Sequence, residues 1–194
     1  IRRIPLKNTY VVSLKAQALV AADAVRFRGE IQQAADWLAR AQQPNGMWGY
    51  SLLGTRTDFS NSQFALLGLH EAAKSGAQVH NSIWIRARVS WVNSQNTDGG
   101  WGYMPGFPQS TGSMTAAGVA SLYICGNALA MNRNPGRTGD GEVICCTPYV
   151  EYRPIARGMR WLSLHFSVQR NPNSGTWYYY YMYGLERAGI LSGL

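Results

Sequence analysis

Charge is scarce in this 194-residue chain, and so is cysteine. Charged residues make up only 14%, against roughly a quarter in an average globular protein. No run of five or more like charges occurs, and the Arg and Lys residues that give the net charge of +8 are scattered. A net positive charge alone suits acidic partners, but without a basic stripe or a recognised motif no nucleic-acid partner is expected. The 3 cysteines, Cys125, Cys145 and Cys146, are odd in number and two are adjacent. That excludes a disulfide framework and points to free thiols. No stretch reads as long and apolar enough for a membrane span, and no signal peptide is visible. Metal-type His and Cys spacing is absent around His70, His80 and His165. No metal or other cofactor is therefore expected.

What the chain has is rings and repeats. Aromatics reach 12%, with 7 Trp and 11 Tyr, and hydrophobic residues 46%. The length suits one domain with a sizeable core. Few charges and many rings mean that much surface must be tucked away, and they suit an aromatic-lined cavity.

Three segments share a pattern. The first holds Ala34, Trp37, Leu38, Gln42, Gly46 and Trp48; the second Ala87, Trp91, Gln95, Gly99 and Trp101. The third holds Arg157, Gly158, Trp161, Leu162, Gly175 and Trp177. Gln and the following Trp are six apart in the first two copies. Each copy reads as helix, turn, helix. Ile31, Ala35, Leu38 and Gln42 recur at helical spacing with charges on other faces, so this helix is amphipathic. Pro44-Asn45-Gly46 ends it, as residues 96–100 and 171–175 end the others.

The helices after the turns are of another kind. Residues 60–76 and 110–129, and likewise 8–24, open with capping-type residues and turn apolar on nearly every face. A helix that is apolar all round is buried. The pattern predicts about seven helices in one domain over 1–194, all-α, with amphipathic outer helices alternating with apolar inner ones. Residues 131–152, rich in Gly, Pro and Arg, read as a long exposed loop.

The three segments resemble the QW motif of squalene and hopene cyclases. The first copy matches from its Ala to its Trp, the second lacks the Leu, and the third has Phe166 in place of Gln with a longer turn. The whole chain resembles bacterial proteins with prenyltransferase and squalene-oxidase repeats, through NSQFALLGLHEA, QNTDGGWGYMPG, TGSMTAAGVASL and WYYYYMYGLERAGIL. The resemblance implies an α/α-toroid of helical hairpins, of which this chain would be the C-terminal part. A covering segment or a homo-oligomer would then shield its inner helices. In the motif Gln ties helix to turn and Trp packs over the junction, so it argues fold rather than chemistry.

Chemistry implied by the relatives meets departures. Hopene-type cyclases carry Asp-x-Asp-Asp-Thr-Ala at the start of an inner helix. Here Asp58-Phe59-Ser60-Asn61-Ser62-Gln63 stands there, with Ser60 in place of the proton donor. A hydroxyl cannot replace a carboxylic acid in that role, so proton-initiated cyclisation is not expected. Asp58 reads as a helix cap, and His70, mid-helix beside Leu69 and Glu71, as a structural histidine. Those two are nonetheless the first choices if an acid or base is sought. Protein prenyltransferases use zinc, for which Cys145 and Cys146 near Asp140 and Glu142 are the one dense cluster. The thioester signature Cys-Gly-Glu-Gln is absent. Toroidal polysaccharide lyases use Asn, His, Tyr and Arg, which leaves a glycan reading open.

The expected binding surface lies where inner helices begin and turns end. Its residues are Tyr50, Asn61, Gln63, Tyr103, Thr111, Ser113 and Tyr178. The expected activity is that of a ligand-binding or scaffold domain for an apolar small molecule or a glycan. The alternative is an enzyme on the same fold acting on an isoprenoid, lipid or glycan.

Overall fold

The computed structural model describes residues 1–131 and 153–193. Seven helices and no strands occur among them: α1 (Thr9–Asp23), α2 (Arg28–Ala41), α3 (Phe59–Lys74), α4 (Asn81–Asn93), α5 (Gly112–Met131), α6 (Arg153–His165) and α7 (Tyr178–Ser192). From residue 132 onward the expected long loop, with Cys145 and Cys146, lies outside the described residues.

The odd-numbered helices form an inner row: α1 packs on α3, α3 on α5 and α5 on α7. The others lie outside it, α2 on α1 and α3, and α4 and α6 on α5. Burial follows the sequence pattern. In α3 every residue from Phe59 to His70 is buried, whereas α2 buries one face, through Ile31, Ala34, Ala35, Trp37, Leu38 and Ala41. Small residues set the inner spacing. A methyl group on Gly68 would sit 2.7 Å from the Ser13 hydroxyl, and one on Gly118 2.6 Å from the Trp101 ring. In a core packed like an organic crystal, neither has room.

One expectation is corrected here. Gly112–Ala130 of α5 does have the length and apolarity of a bilayer span, with a mean hydropathy of 1.2. Its Gly, Ala and Ser residues obscure that in the sequence. Within this fold 72% of the stretch is buried among its neighbours, which is what the central helix of an inner layer requires.

The corners explain the repeat. The Trp48 indole N–H donates to the Leu38 carbonyl at 2.7 Å, and that of Trp101 to the Trp91 carbonyl at 2.9 Å. Trp91 therefore stands where the first copy has Leu38, so the second copy fills the Leu position with a larger ring rather than lacking it. That ring packs on Phe59, with centroids 4.4 Å apart. The Gln42 amide donates to the carbonyls of Gly46 and Ile83, and the Gln95 amide to those of Gly99 and Pro154. Each Gln thus joins its own turn to the first turn of the next outer helix. Gly46 and Gly99 have φ of 81° and 94°, and a side chain there would also strike the backbone of Arg86 or Arg157.

The corners gather at one end of the inner row. Corner carbonyls accept from the starts of the inner helices: Tyr50 from Thr9 N–H, Tyr103 from Phe59 N–H, and Trp101 from Thr111 N–H. In the third corner Pro172 accepts from Gly112 N–H. Trp177 differs from Trp48 and Trp101. It was expected as a packing anchor, but it is 73% exposed and has a left-handed backbone, φ 64°.

Candidate functional site

A cavity of about 520 Å³ opens at the corner-bearing end. Tyr10, Ser60 and Ser113 line it. Each is the second residue of an inner helix, so repetition of the fold brings equivalent positions to one rim. Tyr50 and Tyr103, just past the first two corner tryptophans, form part of the wall. Thr111 and Met114 belong to the start of α5, while Trp177 and Tyr180 close the cavity from the third corner and α7.

Four of the expected binding residues, Tyr50, Tyr103, Thr111 and Ser113, meet in this cavity. Asn61, Gln63 and Tyr178 do not line it. Asn61 and Gln63 are fully buried. The Asn61 side chain donates to Asp58 Oδ2 at 2.8 Å, and Gln63 Oε1 accepts from the Tyr180 hydroxyl at 2.5 Å. Gln63 therefore supports a lining ring from behind. Tyr178 points its hydroxyl to the Val168 carbonyl, 2.7 Å away. Tyr10, Ser60, Trp177 and Tyr180 line the cavity although they are not among the binding residues expected from the sequence. Second position in an inner helix is the signal that could have found Tyr10 and Ser60.

Asp58 caps α3. Its Oδ1 accepts from the Asn61 N–H at 2.8 Å and from the Ser60 hydroxyl at 2.6 Å. With Oδ2 taken by Asn61, the carboxylate is buried and bound by three donors. It touches the cavity only through Ser60. Above it, burial pushes the Tyr10 hydroxyl up to about 12; the Asp58 charge adds to this and a hydrogen bond with Ser60 opposes it. The Tyr103 hydroxyl is likewise pushed up to about 12 by burial, again with the Asp58 charge adding and Ser60 opposing. Tyr180 is driven well above its ordinary value, mainly by burial. These phenols stay neutral near pH 7 and can donate hydrogen bonds or offer ring faces.

His70 lies on α3, ten residues beyond Ser60, about 15 Å along the helix axis. It is buried, and that burial lowers its pKa. The helix thus separates it from the cavity. No group of three or more His, Cys, Asp or Glu side chains suited to a metal occurs among the described residues.

The backbone donors at this end are largely occupied. At the start of α5, Gly112 N–H goes to Pro172 O, Ser113 N–H to Asn171 Oδ1, Met114 N–H to Thr111 Oγ1 and Thr115 N–H to Thr111 O. At α1, Asn8 and Tyr50 take the first four. Helix starts with free N–H groups attract phosphates; those of α1 and α5 have none left. Among the described residues no Lys, Arg or His lines the cavity either. The arrangement suits a ligand with apolar or aromatic-stacking surface and no anionic group.

No family model matches the chain, and no curated protein matches it in sequence. In three dimensions it is similar to ent-copalyl diphosphate synthase from Streptomyces platensis, with a TM-score of 0.63 and 24% identity. The match covers 100% of this chain and 35% of that one, so the chain spans about a third of that structure's length. At this identity the likeness is one of architecture: the chain has an all-helical, terpenoid cyclase-like fold.

Proposed function

We propose that this chain is a ligand-binding domain on a terpenoid cyclase-like fold, and that its corner-bearing cavity receives a small molecule with an apolar body and no anionic group. The observation that carries this reading is the wall itself, with four tyrosines and a tryptophan and, among the described residues, no basic side chain. Proton-initiated chemistry would need an available acid. Asp58 is held by three donors, and the phenols are too weakly acidic to replace it.

Titration of the protein with farnesol and with farnesyl diphosphate, followed by tryptophan fluorescence, tests the reading. Farnesol should give a saturable change that disappears in Trp177→Phe, and the diphosphate should add no affinity. A flat response to farnesol overturns the reading. If a neutral disaccharide alone gave the saturable change, the ligand class would move to glycans.

A second reading concerns extent: the domain is the C-terminal part of a longer toroid. The 35% coverage of the structural neighbour favours it, as do exposed Val11 and Leu14 on α1, the first inner helix. Sedimentation of this chain should show self-association, because an apolar inner helix left uncovered seeks a partner. A strictly monomeric chain at high concentration would count against it.

A further inference from the structure

We propose that the polar end of the ligand recognised by this cavity is a quaternary ammonium group, held against the tyrosine and tryptophan rings above the Asp58 carboxylate. The inference rests on the binding reading above and deepens it.

Rings from four separate parts of the chain meet in one space: Tyr10, Tyr50, Tyr103, and Trp177 with Tyr180. Tyr10 and Tyr50 are stacked, with centroids 6.1 Å apart. Aromatic faces carry negative potential and attract alkylated ammonium ions, most strongly where water is displaced. Beneath the rings Asp58 supplies a full negative charge, one hydroxyl removed from the cavity through Ser60. The same charge acts on the Tyr10, Tyr103 and Tyr180 phenols. It is therefore felt across the wall rather than confined to the helix cap.

Two alternatives are weaker. An anion would face Asp58 with no lining cation among the described residues and no free N–H at α1 or α5. A primary ammonium would seek three hydrogen-bond acceptors. Here, however, the Thr111 and Ser113 hydroxyls already accept from Met114 N–H and the Asn171 amide, and Ser60 Oγ, which donates to Asp58, is also shared with the Tyr10 and Tyr103 hydroxyls. A methylated nitrogen needs no such acceptors. The positive ends of the inner helices oppose any cation, but Asp58 caps α3 directly and offsets the nearest of them.

Choline and 3,3-dimethylbutan-1-ol, its uncharged isostere, discriminate. Calorimetric titration of the whole chain should show choline binding at least about tenfold more tightly than the neutral isostere. Asp58→Asn should bring the ratio of the two affinities close to one. Because Asp58→Asn also alters the α3 cap, the exposed Tyr50 gives a second test: Tyr50→Leu should weaken choline severalfold, and Tyr50→Phe should retain it. Equal affinities for choline and its isostere overturn the proposal, as does choline binding unaffected by both Asp58→Asn and Tyr50→Leu. Farnesol binding without choline binding refutes the ammonium head and leaves the binding domain standing. Failure of both ligands refutes both.

Discussion

Trp48 and Trp101 are completely buried, whereas Trp177 is 73% exposed, although all three follow similar helices and glycine-bearing turns. The contrast shows what drives a corner ring inward. In the first two corners the indole N–H reaches a carbonyl ten residues upstream, still within an outer helix. Helix end and tryptophan are close there (41 to 48, and 93 to 101), but distant in the third (165 to 177). Ten residues before Trp177 the chain has already left α6. Phe166 also lacks the amide with which Gln42 and Gln95 tie turn to neighbour. Instead Asn171, itself buried, donates to Ser113 Oγ and Thr176 O and accepts from Ser113 N–H. The positive φ falls on Asn173 and Trp177 rather than on glycine. Two corners are thus joints of the fold, and the third has become wall.

The largest test of that contrast is truncation of the rings. Trp101→Ala should cost about 4 kcal/mol in urea unfolding, the usual penalty for emptying a large buried aromatic site. Trp177→Ala should stay within about 0.5 kcal/mol, as exposed substitutions do. Equal losses would erase the distinction between joint and wall. Next come the ties. Gln95→Ala leaves the Gly99 and Pro154 carbonyls without their side-chain donor and should cost about 2 kcal/mol. Asn171→Ala should cost a similar amount, about 2 kcal/mol, because it leaves buried polar groups unpaired. Phe166→Gln should give no comparable gain, since its turn lacks the short geometry; a gain would show that the missing amide alone makes the third corner different.

Relief of backbone strain sharpens the comparison from the other side. Trp177→Gly should stabilise the chain by about 1 kcal/mol, because a left-handed backbone is costly for any side chain, and it should abolish the fluorescence response to farnesol. A destabilised Trp177→Gly would mean that the ring contributes packing after all.

The smallest effect concerns His70, buried on α3 away from both kinds of corner. Burial lowers its pKa in the folded state, so the unfolded chain binds its proton first. Stability from the neutral ring is complete above the ordinary histidine pKa, near 6.5. It falls as pH drops from there toward the depressed folded value. Unfolding midpoints at pH 7.5 and 5.5 should differ less in His70→Gln than in the parent chain. An unchanged difference would place the acid sensitivity elsewhere.

Much of this architecture is legible in the sequence. Amphipathic spacing in residues 28–41, apolar character in 59–74 and Pro-Asn-Gly stops are local signals, and they assign helices to layers. Even the join from Gln42 to its own turn is a matter of short range. The likeness of the third segment to the others was misleading, because Gly175 and Trp177 keep the pattern while a lengthened turn removes the geometry behind it. The cap role of Asp58 was readable, since an Asp before an apolar helix has a well-defined use. The supporting position of Gln63 was not.

Sequence by itself determined that the chain forms two kinds of helix joined by tight corners, because periodicity, caps and turn residues act over a few positions. Tertiary structure alone decided that Tyr10, Tyr103 and Tyr180 share one wall and that His70 is excluded from it. Such meetings depend on how successive hairpins rotate and stack. That rotation is set by contacts such as Gly118 against the Trp101 ring, made between residues that no local rule connects.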